Sequence, residues 1–192
     1  MNKFLRIVLA ILFLLIVVVY PSRYKIGAFY YGKINPNDSI KILTFDQDNA
    51  NGYNDIFKIV STNKTPSFIY FNTRYSYDRL ISDKIDLLRL DSLFKSDKLN
   101  MVYIANGLDD EPSEKDKWIV MINKLNLIGT HISLPDDFPD FDSFFKYTKW
   151  DDKGHRTTSI PHYLLTNSLG MITDTIYDGK IDIDKIKLIS EK

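Results

Sequence analysis

The stretch Ser67-Phe68-Ile69-Tyr70-Phe71, set behind Pro66, constrains the fold most, because it is dense in β-forming side chains on both alternating faces. A strand that is apolar on both sides belongs at the centre of a sheet covered by helices above and below. After it, Tyr77, Leu80, Ile81, Ile85 and Leu88, flanked by Leu87, Leu90 and Phe94, recur at three- and four-residue spacing. That period predicts an amphipathic helix over about residues 76–95. Strand then helix makes one βα unit.

The alternation extends in both directions. Residues 40–45 read as a short strand, 46–52 as a polar turn and 53–60 as one or two helical turns. Residues 101–105 read as a strand, followed by an acidic loop through Asp109, Asp110 and Glu111. Ser113-Glu114-Lys115-Asp116 is predicted to cap the next helix, with Trp118, Ile119, Ile122 and Leu125 on one side. An extended segment at 129–134 leads through Pro135 and Pro139 into a helical 141–147. Residues 160–165 and 171–176 are strands joined by the hairpin Thr166-Asn167-Ser168-Leu169-Gly170, and 183–189 closes the chain as a helix with Asp182 and Asp184 at its start. Parallel βα units followed by an antiparallel hairpin and a terminal helix give an α/β fold: a central mixed sheet with helices on both faces.

At 192 residues, with 44% apolar and 14% aromatic side chains, the chain has material for one packed domain plus an N-terminal appendage. Twenty-five basic residues balance twenty-five acidic ones, which speaks against nucleic acid as a partner, since that binding needs a basic field. Cysteine is absent, so disulfides, thiolate metal sites and lipid acylation on cysteine are excluded. No cofactor motif is found: there is no phosphate-binding glycine loop, no Gly-x-Ser-x-Gly elbow and no His-Glu-x-x-His. The histidines His131, His155 and His162 fit no metal-ligand spacing, and Asp136, Asp137, Asp140 and Asp142 lack the pattern of a calcium loop. Asp151-Asp152-Lys153-Gly154 reads as a turn.

The N-terminus decides localisation. After Lys3 and Arg6 comes an unbroken apolar run, residues 7–20, closed by Pro21-Ser22-Arg23. As a helix it spans roughly 21 Å, short of the ~30 Å hydrocarbon core unless it starts at Phe4 with Arg6 snorkelling. Residues 1–22 therefore read as a signal anchor, with a cleaved signal peptide as the alternative; the small-residue pair that cleavage needs is missing. Residues 23–37, with Gly27, Gly32 and Pro36, read as a juxtamembrane linker, and 38–192 as the globular domain. Basic residues on both sides of the run leave its orientation undecided.

Two local motifs then become specific. Phe71-x-x-x-Tyr75-Ser76-x-x-Arg79 stands at the strand-to-helix junction, and Ile160-Pro161 opens the later hairpin, 85 residues after Ser76. Together with the order of elements they resemble the thioredoxin-like thiol-disulfide oxidoreductases of the TlpA/ResA and redoxin (AhpC/TSA-like) kind over about residues 38–192. In that family the strand ends in Phe-x-x-x-Trp-Cys-x-x-Cys, and the later proline has a cis peptide bond. Here Tyr75 stands for the tryptophan, and Ser76-Tyr77-Asp78-Arg79 replaces the redox motif. Asn167-Ser168-Leu169-Gly170 resembles the family's Asp-x-x-Gly turn. The resemblance implies export of the domain to the extracytoplasmic side of a bacterial cell membrane, or secretion if the signal is cleaved.

The departure from the family removes its chemistry. A first cysteine at a helix N-terminus is held as thiolate by backbone amides and the helix dipole, whereas an unassisted serine hydroxyl stays protonated. Ser76 is thus expected as a helix N-cap. Arg79 carries a permanent charge, and either pairs locally with Asp78 or Asp83 or anchors an acidic group of a partner. If the Pro161 bond is cis, the backbone of Ile160 faces Ser76 and offers peptide hydrogen bonds; the other reading is that the proline only shapes the hairpin. The expectation is a membrane-anchored, non-redox thioredoxin-like domain with no catalytic residues. It binds or positions a protein or peptide at a face made of Tyr75, Ser76, Tyr77, Arg79, Ile160, Pro161 and His162. The alternative is an oxidoreductase-family member whose redox activity is residual or supplied by another chain's cysteine.

Overall fold

The computed structural model describes residues 3–45, 53–61, 64–73, 77–108, 112–135, 147–150, 156–159, 163–176 and 180–190. An N-terminal helix, α1 (Lys3–Ile34), precedes β1 (Ile40–Thr44), α2 (Tyr53–Ser61) and β2 (Ser67–Thr73). Then come α3 (Tyr77–Arg89), α4 (Asp91–Lys95), β3 (Asn100–Asn106), α5 (Pro112–Leu125) and β4 (Gly129–Leu134). A two-stranded ribbon of β5 (Tyr147–Trp150) and β6 (Arg156–Ser159) follows, then β7 (Tyr163–Thr166), β8 (Ile172–Ile176) and α6 (Ile183–Ser190).

Six strands form the main sheet in the order β1-β4-β3-β2-β7-β8. The first four are parallel, whereas β7 runs antiparallel to β2 and to β8. The unit β2-α3-β3 followed by the β7-β8 hairpin and α6 is the thioredoxin-like arrangement predicted from the sequence. Both faces of β2 are buried, as its composition requires: Ile69 and Phe71 join Val102, Ile104, Ile132 and Leu164 under Ile56 and Val60 of α2. Phe68 and Tyr70 join Met101, Tyr103, Tyr163 and Leu165 under Leu80 and Leu87 of α3 and Ile186 of α6. Trp118 and Ile122 of α5 cover Ala105 and Leu108 on that second side.

Local chemistry explains several boundaries. Asn167 closes the β7-β8 hairpin, its side-chain oxygen accepting the amides of Leu169 and Met171, each at 3.0 Å. Asp182 caps α6 by accepting the Lys185 amide at 3.0 Å. Gly129 holds φ +126°, and a Cβ there would lie 2.6 Å from the Met101 carbonyl oxygen, so only glycine fits where β4 begins.

The structure corrects four expectations. The single helix over 76–95 is two, because the chain tightens at Leu90: Leu90 bonds back to Leu87 at 3.1 Å and Leu93 to Leu90 at 3.0 Å. Fully buried Leu90 marks the bend. Ser113 does not cap α5, since the helix already starts at Pro112, whose missing N–H costs nothing in a first turn. Tyr147 is the first residue of a strand rather than the end of a helix, and 141–146 lie outside the described residues, as does the predicted turn at 151–154. Finally, the juxtamembrane linker expected over 23–37 is helical as far as Ile34. The apolar helix continues without interruption to Ile34, with wider turns at Leu15–Val19 and Tyr30–Ile34, and its end packs along α5.

Gly27 permits that packing. A Cβ at this position would come within 2.7 Å of the Val120 Cγ2 methyl. Within the stretch read as a juxtamembrane linker, packing makes Gly27 the point of a close helix crossing. From Phe4 to Tyr20, by contrast, the α1 side chains face outward, and none is buried. At about 48 Å the whole helix exceeds the ~30 Å apolar core of a bilayer, which leaves its last turns free to dock on the domain.

Candidate functional site

The central strand β2 ends at Thr73, opposite Asn106 of β3, and α3 begins at Tyr77. On the other side of β2, Tyr70 pairs with Tyr163, the first residue of β7. The chain therefore enters β7 beside the end of β2 from which it departs toward α3. This brings the described flanks of both sequence motifs to one end of the sheet. Tyr75, Ser76, Ile160, Pro161 and His162 lie outside the described residues, and with them the geometry of the Ile160-Pro161 peptide bond. Tyr77 and Arg79 belong to the first turn of α3, where Asp78 is exposed and Arg79 half-buried.

Beneath that turn lies a polar link the sequence did not reveal. The buried Tyr70 hydroxyl donates to Asp83 Oδ2 at 2.9 Å, tying α3 to the central strand. Ser82 Oγ donates to the Arg79 carbonyl at 2.7 Å. Burial pushes the Tyr70 phenol far above its ordinary value, the charge and hydrogen bond of Asp83 raise it further, and the positive charge of Arg79 partly opposes them. Tyr70 is therefore a fixed proton donor to Asp83 and not a base. Arg79 thus stands in the electrostatic neighbourhood of the Tyr70 hydroxyl. The signal for this link, a tyrosine in an apolar strand and an aspartate one helix later, is too common to be read without tertiary structure.

A second buried polar group sits under α5. The His131 ring stacks on Tyr103, centroids 4.4 Å apart and 4° from parallel, with the Trp118 indole edge-on at 6.0 Å. His131 Nε2–H donates to the Leu127 carbonyl at 2.8 Å, whereas His131 Nδ1, the Tyr103 hydroxyl and Ser133 Oγ are buried without a hydrogen-bond partner. Burial pushes the imidazole down to about 4, so it is neutral at physiological pH. Tyr103 is likewise held protonated, by burial first and by Asp91 second. His131 is thus a sealed core residue.

Chemically, the sheet end carries the amino end of α3 and Arg79, while the Tyr70 hydroxyl beneath them is buried and bonded to Asp83. A chain without cysteine has no thiolate to place there.

No model of a known protein family matches the chain, and no curated protein matches it either. Solved structures do. The thioredoxin domain of a thiol-disulfide oxidoreductase from Bacteroides vulgatus is 16% identical, covering 71% of this chain and 84% of that one at a TM-score of 0.45. The bacterioferritin comigratory protein of Xanthomonas campestris is 13% identical over 67% of this chain and 78% of that one, with a TM-score of 0.42. A secreted disulfide oxidoreductase of Mycobacterium tuberculosis is 12% identical over 67% and 81%, with a TM-score of 0.41. By its own strand order and connections the chain has a thioredoxin-like fold, preceded by an apolar helix and lacking every thiol.

Proposed function

We propose that this is a membrane-anchored, non-redox thioredoxin-like domain that holds a protein or peptide partner at the sheet end where β2 passes into α3, on the extracytoplasmic side of the membrane. One observation supports the reading: the described residues carry the strand order and βα connections of a thioredoxin-like fold, whereas the chain has no cysteine to perform the reaction. Thiol exchange needs a thiolate nucleophile, and no other side chain substitutes for it. What such a scaffold retains is a strand-to-helix junction with helix N-terminal amides and a permanently charged arginine, both suited to a peptide's carbonyl and carboxylate groups.

The anchor is supported by the course of α1. Its apolar run ends at Tyr20, and the Arg23 guanidinium lies over the Tyr20 and Tyr24 rings at 3.8 and 4.5 Å. Aromatic and basic residues in this order mark the level where a spanning helix meets the headgroups.

Purified full-length protein should show no turnover of insulin disulfides above buffer; catalysis by the cysteine-free chain would sink the non-redox reading. Quantitative pull-down from detergent-solubilised membranes should lose its specific partner with Arg79→Ala or Pro161→Ala. A partner retained by both would move recognition to another surface.

A further inference from the structure

Helix α3 carries apolar side chains on two sides. Leu80 and Leu87 are buried against the sheet, whereas Ile81 and Ile85, one turn apart on another side, are 54% and 67% exposed. Ile81 borders an open hollow of about 290 Å³ between α3, α5 and the docked end of α1. Val120, Met121 and Leu125 of α5 and Tyr24 of α1 supply the rest of its apolar wall, and Lys117 and Lys124, two turns apart on α5, complete the lining. That volume lies at the lower end of small-ligand pockets, enough for part of an acyl chain.

The place of this hollow along α1 is fixed by its wall. Tyr24 follows Tyr20, the last residue of the apolar run, by four residues or about 6 Å. A spanning stretch of about 20 residues from Phe4 closes near Arg23. The Lys117 ammonium lies over the Tyr24 ring at 5.7 Å, and Gly27 backs onto Val120 less than a turn farther on. The hollow therefore begins where hydrocarbon gives way to headgroups. The same segment exposes Ile26, Phe29 and Ile34 beside Arg23, Lys25 and Lys33. Apolar and cationic side chains interleaved in this way suit a helix at a lipid surface.

Charge decides what fits. Residues 20–34 of α1 hold three cations and no carboxylate. On the facing helices, Asp83 accepts from the Tyr70 hydroxyl, Asp86 is paired with Arg89, and Glu114 with Lys117. The exposed Lys124 ammonium has no ion pair among the described residues. An apolar cleft with an unneutralised cation at its edge, level with the headgroups, is complementary to a lipid anion.

We propose that this hollow binds an anionic phospholipid of the membrane that α1 spans, with one acyl chain against Ile81, Met121 and Leu125 and the phosphate at Lys124. The inference rests on the anchoring role proposed above for α1 and is independent of the partner face at the start of α3. A lipid held there bridges α1, α3 and α5, and so braces the domain against its own anchor.

The test uses the full-length protein in phosphatidylcholine nanodiscs doped with a lipid that carries a photoreactive diazirine in its acyl chain, either phosphatidylglycerol or phosphatidylcholine. Adducts are mapped by peptide. Phosphatidylglycerol should mark residues 77–89 and 112–125 about fivefold more than phosphatidylcholine, the preference one lysine near an anionic headgroup confers. Both lipids should mark residues 4–20 equally. Lys124→Gln, at an exposed position, should erase the preference, and Lys124→Arg should keep it. Ile81→Glu should lower the phosphatidylglycerol marking of α5 with Lys124 intact. Equal marking by the two lipids, a preference that survives Lys124→Gln, or no marking outside α1, as a second copy seated in the hollow would give, overturns the site. Alkaline carbonate extraction of native membranes separates this reading from the anchor. Protein that stays in the membrane pellet but shows no lipid preference loses only the site, whereas protein released by carbonate loses the anchor and the site with it.

Discussion

Single residues in this protein act through burial, and His131 shows the consequence for pH. Its imidazole titrates at about 4 in the folded protein, against 6.5 for a free side chain. Between those values the unfolded chain takes up a proton that the folded one refuses. The stability His131 allows is fully present above about pH 6.5 and is lost as pH falls toward 4, by roughly 3 kcal/mol in all. Urea unfolding at pH 7 and pH 4.5 should therefore show a steeper loss in the wild type than in His131→Phe, which keeps the stack on Tyr103 and cannot ionise. Identical losses would mean that His131 is more open to solvent than its surroundings indicate. Gly129 tests backbone geometry instead. Gly129→Ala sets a Cβ against the Met101 carbonyl at a positive φ, and should cost about 3 kcal/mol or more in chemical denaturation. Neither residue advertises its role: a histidine in a β-rich segment looks like a surface residue, and a glycine at a strand start looks like a turn.

At the scale of elements, the periodic patterns were legible and the interruptions were not. The period of α3 was plain from Leu80, Leu87 and their neighbours, whereas the break at Leu90 came from packing, since no proline or glycine stands there. The β5-β6 ribbon was also missed, because its strands pair with each other outside the main sheet and lack an apolar face to read. The docking of α1 on α5 hinges on one position. Gly27→Leu places a side chain where Val120 already sits, an overpacking that costs about 1–3 kcal/mol and should part the two helices. Limited proteolysis should then cut near residues 35–38 faster than in the wild type, with the domain's own melting otherwise preserved. Unchanged cleavage would mean that the contact is not required to hold α1 in place.

The whole molecule is a domain clamped to the end of its own apolar helix. Val120 is 5% exposed only because α1 lies over it. A soluble fragment starting at Asp38 should be less stable than one starting at Arg23 by about 1–2 kcal/mol, read as a few degrees in Tm. Equal melting of the two fragments would show the clamp to be energetically neutral. Sequence alone determined the α/β class, the central place of β2, the closing hairpin and helix, the apolar N-terminal span and the loss of thiol chemistry. Those follow from local periodicity, turn residues and composition, which short windows of chain encode. Tertiary structure decided the Tyr70–Asp83 link, the sealing of His131 and the docking of the end of α1 on α5. Each depends on groups far apart in the chain meeting at a few ångströms, and no pattern within one segment records its distant neighbour.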